Sequence, residues 1–100
     1  MREFEVNCIC KRRRDKSHEH ITHLGNSGNQ WRMQRETMIA RIEAKEEAYY
    51  TMDRGTGRRI YIGVMREPGK APYLRSHADG QWNNNLLAQA ECGNECKQIA

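Results

Sequence analysis

Tyr49-Tyr50-Thr51-Met52-Asp53-Arg54-Gly55-Thr56-Gly57-Arg58-Arg59-Ile60-Tyr61-Ile62-Gly63-Val64 reads as two strands joined by a short loop. Aromatic and β-branched residues suit a pleated, half-buried surface. The glycine-containing loop at 53–57 is of the kind that joins hairpin strands. In the second strand Ile60, Ile62 and Val64 share one face, which packs inward because side chains alternate along a strand.

Upstream, Phe4-Glu5-Val6-Asn7-Cys8-Ile9-Cys10 alternates with period two, predicting an opening strand with Phe4, Val6, Cys8 and Cys10 on one face. The charged run Lys11-Arg12-Arg13-Arg14-Asp15-Lys16 is a connection that no core would accept, and a second short strand is expected over 19–24. Gly25-Asn26-Ser27-Gly28-Asn29 forms a loop. The period then changes: Met38, Ile39 and Ile42 recur at helical spacing, predicting a helix over 34–46 with Met33 at its N-cap and Glu36 at the capping-box position. Downstream of the hairpin, 72–76 reads as a final strand ended by the Asp79-Gly80 turn signal, and Leu86-Leu87 is a last apolar anchor. The expected order is β-β-α-β-β-β: an α+β domain over 1–92, with a small antiparallel or mixed sheet and one helix packed on one face, and a disordered tail over 93–100.

The bulk properties bound the function. One hundred residues, 37% apolar and 30% charged, support one compact core. No apolar run approaches 18 residues and no leader pattern opens the chain, so membrane spanning and export are not expected, and the location is expected to be cytoplasmic. Four cysteines then read as thiols rather than a disulfide framework. A net charge of +4 permits contact with anions but falls short of a dedicated nucleic-acid binder.

Three features could carry chemistry. Ser17-His18-Glu19-His20-Ile21-Thr22-His23 concentrates histidines; in a strand His18 and His20 share a face about 7 Å apart, within reach of one metal ion, while His23 points away. The favoured reading is a partly exposed strand whose histidines hydrogen-bond locally. Cys8-x-Cys10 and Cys92-x3-Cys96 could meet as four thiolates; core packing is favoured for the first pair, and an exposed, ill-ordered pair for the second. Arg12, Arg13 and Arg14, with Arg58 and Arg59 in the hairpin region, are candidate anion contacts. Finally Tyr73, Arg75 and His77 share one strand face beside Asp79 and the asparagine run ending at Asn85, a candidate binding patch. Ser76 points away from His77, which leaves no nucleophile–base pair and no expectation of an enzyme. Neither a cofactor nor a resident metal is implied.

Taken together, His18-Glu19-His20-Ile21-Thr22-His23, Trp31, Met38-Ile39-Ala40-Arg41-Ile42-Glu43, Tyr61-Ile62-Gly63-Val64, Pro72-Tyr73-Leu74-Arg75-Ser76-His77-Ala78-Asp79-Gly80 and Asn85-Leu86-Leu87 resemble a family of short bacterial proteins known only as a domain of unknown function. The resemblance covers about 17–92 and implies a small bacterial, cytoplasmic protein with no assigned activity, cofactor or partner. Met33 stands where the family has a small hydroxyl residue, and Gln89-Ala90 where it has Leu-Pro. The leading expectation is a non-enzymatic binding or interaction module using the sheet face or the patch around Arg75 and Asp79. The alternatives are a nucleic-acid-associated protein acting through its arginines, and a metal-binding protein using residues 18–23. The partner is left unknown, with a protein or a nucleic acid as the candidates and no membrane expected.

Overall fold

The computed structural model describes residues 1–12 and 17–99. Its strands are β1 (Arg2–Glu5), β2 (Cys8–Lys11), β3 (Ile21–Asn26), β4 (Trp31–Gln34), β5 (Glu47–Met52), β6 (Arg59–Met65), β7 (Tyr73–Ala78), β8 (Gln81–Asn83), β9 (Ala90–Glu91) and β10 (Lys97–Gln98), with one helix, α1 (Arg35–Glu43), and a 3-10 turn at His18–His20. They form two five-stranded mixed sheets, ordered β1-β5-β6-β7-β8 and β10-β4-β3-β2-β9. The expected α+β sheet with a helix on one face is therefore corrected. Strands hold 46% of the described residues and helices 13%, and α1 packs against strands of both sheets.

The two sheets share one extended segment. The Val6 N–H donates to the Tyr50 carbonyl at 2.7 Å, continuing the β1–β5 pairing, and the next residue, Asn7, donates to the Gly25 carbonyl at 2.9 Å in the other sheet. This change of sheet breaks the alternation. Phe4 and Val6 pack on the core from the first sheet, but the core residue of β2 is Ile9, flanked in register by Leu24 of β3 and Met33 of β4. Cys8 and Cys10, expected beside Phe4 and Val6, therefore lie on the outer face of the second sheet. The physical reason is the extra residue taken up at the corner, since a one-residue slip reverses every side chain that follows.

The first sheet contributes Tyr49, Ile62 and Leu74 to the same core, and α1 adds Met38 and Ile39. Ile60 is also buried, as its alternation with Tyr61 requires. Two polar residues on this inner face, Thr51 and Ser76, are fully buried and hydrogen-bonded. Ser76 Oγ donates to Asn83 and accepts the Leu86 N–H at 3.0 Å, while Thr51 Oγ1 donates to Asn85 Oδ1. These bonds seat Leu86, which is wholly buried, between the sheets.

The N-cap of α1 is Gln34, not Met33, and its side chain makes no capping bond. Met33 belongs to β4 and is 2% exposed, with the Tyr49 hydroxyl 3.6 Å from its sulfur. The helix is also shorter than the 34–46 expected: Lys45 at φ 58° turns the chain back into β5. Part of the C-terminal segment is held against the second sheet. Cys96 is buried, and β10 pairs in parallel with β4.

Two substitutions test this helix start. Gln34→Asp supplies the missing cap acceptor and should raise stability by about 0.5–2 kcal/mol. Met33→Thr removes buried volume and should cost about 2–4 kcal/mol. Urea unfolding measures both, and a Met33→Thr protein as stable as the parent would remove Met33 from the core.

Candidate functional site

The outer face of the first sheet carries a row of rings. Tyr50 of β5 stands opposite Tyr61 of β6, Tyr61 opposite His77 of β7, and His77 opposite Trp82 of β8. Directly opposed residues project on the same face, so four aromatic side chains cross four adjacent strands in one line. The last link depends on the Asp79-Gly80 turn. Both residues have positive φ, 54° and 78°, the two-residue geometry that joins strands without splaying them. That turn brings Trp82 back beside His77.

Tyr50 and Tyr61 have centroids 6.0 Å apart, tilted at 59°, and the His77 and Trp82 rings lie edge to face at 5.0 Å. The Trp82 ring reaches over Gly63, where a Cβ would come within 3.0 Å of its Cη2 atom. The glycine makes room for a ring lying along the sheet. Tyr61 and Trp82 remain 42% and 39% exposed, so the row faces solvent. Tyr61, Gly63, His77 and Trp82 line a shallow hollow of about 250 Å³ over Ile62.

Charge borders the row on two sides. The Arg59 guanidinium lies 4.3 Å from the Tyr50 centroid and pairs with Glu3 at 2.7 Å; Tyr61 donates to the same carboxylate, which lies below the usual carboxylate range because of these donors, the tyrosine first. Arg75, opposite Gly63, donates to the Asn83 carbonyl and to Asn84 Oδ1, and among the described residues no carboxylate pairs with it. Arg58 meets Asp79 at 3.3 Å, both mostly exposed, an ion pair of small energetic worth.

The residues singled out in the sequence scatter around this row. His77 belongs to it and Arg75 borders it. Tyr73 shares their face but is buried, its hydroxyl donating to Glu67 at 2.7 Å. Asn85 is engaged by Thr51 and by Gln89, in the anchoring of Leu86. The histidine stretch is not the expected strand: His18 and His20 lie in the 3-10 turn, and only His23 is in β3, bonded to Thr22 and Gln98. The arrangement of His18 and His20 on one strand face is thereby lost. Arg12 joins the chain to His20 by a backbone bond, whereas Arg13 and Arg14 fall outside the described residues.

Two other hollows are weaker candidates. A cleft between the sheets, lined by Phe4, Trp31, Met33 and Tyr49 with Arg41 and Glu47 at its edge, encloses about 220 Å³. Like the hollow of about 250 Å³ at the aromatic row, it is below the roughly 300 Å³ at which small-molecule sites begin, and it displays no exposed row of rings. A larger polar hollow of about 450 Å³, beside Asp53, Arg54 and Asn85, has neither ring nor cluster of titratable groups. Sequence reading missed Tyr50, Tyr61 and Trp82. The alternation that buries Ile60 and Ile62 also exposes Tyr61, so part of the signal was present.

His18 is nearly buried and its Nε2 has no hydrogen-bond partner among the described residues; burial first, and then the Arg75 charge, holds the imidazole below its ordinary value. The folded state thus binds fewer protons than the unfolded one. The resulting stability is present above about pH 6.5 and is lost as pH falls through the folded value. Melting temperatures between neutral and mildly acidic pH should therefore fall more steeply for the parent than for His18→Gln. Parallel profiles would show that His18 does not titrate on unfolding.

No helix is long and apolar enough to cross a membrane among the described residues. No curated protein and no solved structure matches the chain. Residues 6–88 match the family described as "Protein of unknown function (DUF3892)". The match takes in β2, the histidine turn, the helix, the aromatic row and the Leu86 anchor, most of the chain, and the protein belongs to that family.

Proposed function

We propose that this protein is a non-enzymatic module that binds single-stranded nucleic acid on the outer face of the first sheet. The observation that carries the reading is the Tyr50–Tyr61–His77–Trp82 row. Bases stack on exposed rings regardless of their sequence, because every base has a π-face. Rings displayed across adjacent strands are the platform that sheet-based RNA readers use for splayed bases. A duplex offers no such faces, so the row favours single strands.

The cations support the same occupant. Arg75 and Arg59 flank the row, and the chain carries a net charge of +4. Glu3 and Glu5 stand at the β1 end, which directs the phosphates toward the Arg75 side. The sequence alone favours a binding or interaction module over a nucleic-acid role, since it shows no aromatic-bearing strand of the kind RNA-binding sheets use; across four strands the rings add up. The bacterial, cytoplasmic setting implied by the resemblance is part of this reading.

The test is fluorescence anisotropy with labelled single-stranded RNA and DNA of equal length, against a duplex control. Trp82→Ala and Tyr61→Ala should each weaken binding about 5- to 150-fold, the range of one lost stacking contact. Affinity should fall steeply with salt, and Arg75→Ala should flatten that slope. Binding unchanged in the Tyr61→Ala, Trp82→Ala double variant, or no binding at low salt, would reject the proposal. Duplex binding as tight as single-strand binding would reject the stacking mechanism.

A further inference from the structure

The outer face of the second sheet holds a different chemistry. Ile9 faces the core, so its neighbours Cys8 and Cys10 face outward, yet Cys8 is only 1% exposed. The C-terminal segment covers it. Cys92 donates its backbone N–H to the Ile9 carbonyl at 3.1 Å and is disulfide-bonded to Cys8, and Cys96 is buried against the same spot. The sulfurs of Cys8, Cys92 and Cys96 all lie within 4.8 Å of one another. Cys10 follows on the same face of β2, and the parallel β2–β9 register, with Cys8 beside Ala90 and Ile9 beside Glu91, brings it alongside Cys92.

A cation completes the cluster. Cys8 stands opposite Gly25 and Gly25 opposite Arg32, so the three share this face; the Arg32 Cβ is 3.1 Å from where a Gly25 Cβ would be. The Arg32 guanidinium acts electrostatically on the Cys10 thiol, and its Nε–H is buried with no hydrogen-bond partner among the described residues. A buried donor left unmade is costly, and it marks a place where an acceptor belongs.

We propose that reduction of the Cys8–Cys92 disulfide opens a tetrahedral zinc site made of Cys8, Cys10, Cys92 and Cys96, with Arg32 donating to one of its thiolates. Four sulfurs at about 2.3 Å from zinc are separated by about 3.8 Å. On reduction the Cys8 and Cys92 sulfurs open from bonding distance toward that spacing, while Cys96, already within 4.8 Å of both, and Cys10 on the same face close in. The reductant is a dithiol: its two S–H groups pass two protons and two electrons to the protein disulfide, yielding the Cys8 and Cys92 thiols and a cyclic disulfide. Zinc then displaces four protons from the four thiols, and the site carries two negative charges. The Arg32 guanidinium offsets part of that charge and gains the bond it lacks. The disulfide and the metal exclude each other, so one set of sulfurs holds the C-terminal segment onto β2 in both redox states.

The probe is cobalt(II), added to protein reduced with a dithiol and desalted without oxygen. One equivalent should develop the intense visible absorption of tetrahedral cobalt thiolate, and one equivalent of zinc should abolish it. Protein with the disulfide intact should give none. Cys96→Ser and Cys10→Ser should each lose or weaken the absorption; circular dichroism of their oxidised forms checks that they fold. Arg32→Met should weaken zinc binding about 10- to 100-fold, as loss of a supporting partner does. Only the faint colour of hydrated cobalt at stoichiometric metal, or equal absorption with the disulfide intact, would overturn the proposal.

Discussion

At residues 6 and 7 two successive backbone N–H groups bond to different sheets, Val6 to Tyr50 in the first and Asn7 to Gly25 in the second. Neither bond is strong by itself, since a backbone hydrogen bond adds only about 1 kcal/mol net. Their consequence is geometric. A single extended segment becomes the seam between two sheets, and Val6, with no exposure at all, closes the core at that seam. Everything inward of it, including Ile9, Leu24, Met33, Tyr49 and Leu74, packs as one cluster.

The seam also decides what is left outside. Because the alternation slips there, Ile9 takes the core position and the two flanking cysteines turn outward, beneath the C-terminal segment. After β8, the described strands β9 and β10 join the second sheet, and Tyr61 and Trp82 stay exposed on the first. The two outer faces thus have opposite characters. One is a platform of tyrosine, histidine and tryptophan bordered by arginine; the other is a covered nest of sulfur with a guanidinium at its edge. Hydrogen-bonded polar residues on the inner side, Thr51 and Ser76, hold the Leu86 loop that ties the end of the family-matched region to the first sheet.

How legible these features were depends on their length. The hairpin around residues 53–57 and the helix containing Met38 and Ile39 rest on local periodicity over many residues, and both were readable. So was the Leu86 anchor. The strands Trp31–Gln34, Gln81–Asn83, Ala90–Glu91 and Lys97–Gln98 were not, because two to four residues offer no measurable period. Such strands exist because a neighbouring backbone completes their hydrogen bonds. Histidine concentration at 18–23 was conspicuous, but a 3-10 turn disperses those rings. Of the candidate patch, His77 and Arg75 fall at the aromatic row, while Tyr73 and Asn85 are held by structural bonds.

From its sequence alone this chain has a charge, a composition and a set of alternating segments, and these determined that it would form one small domain with inward-facing Ile60 and Ile62 and an outward-facing Tyr61. Such properties are local, set by the two-residue repeat of a strand. Tertiary structure decided everything that needs two distant segments to agree. It chose two sheets over one, the sheet change at Val6 and Asn7, the register that lines up Tyr50, Tyr61, His77 and Trp82, and the meeting of Cys8 with Cys92 across 84 positions. The reason is that register and sheet assignment are fixed by which backbone groups find partners, and no short-range pattern encodes that choice.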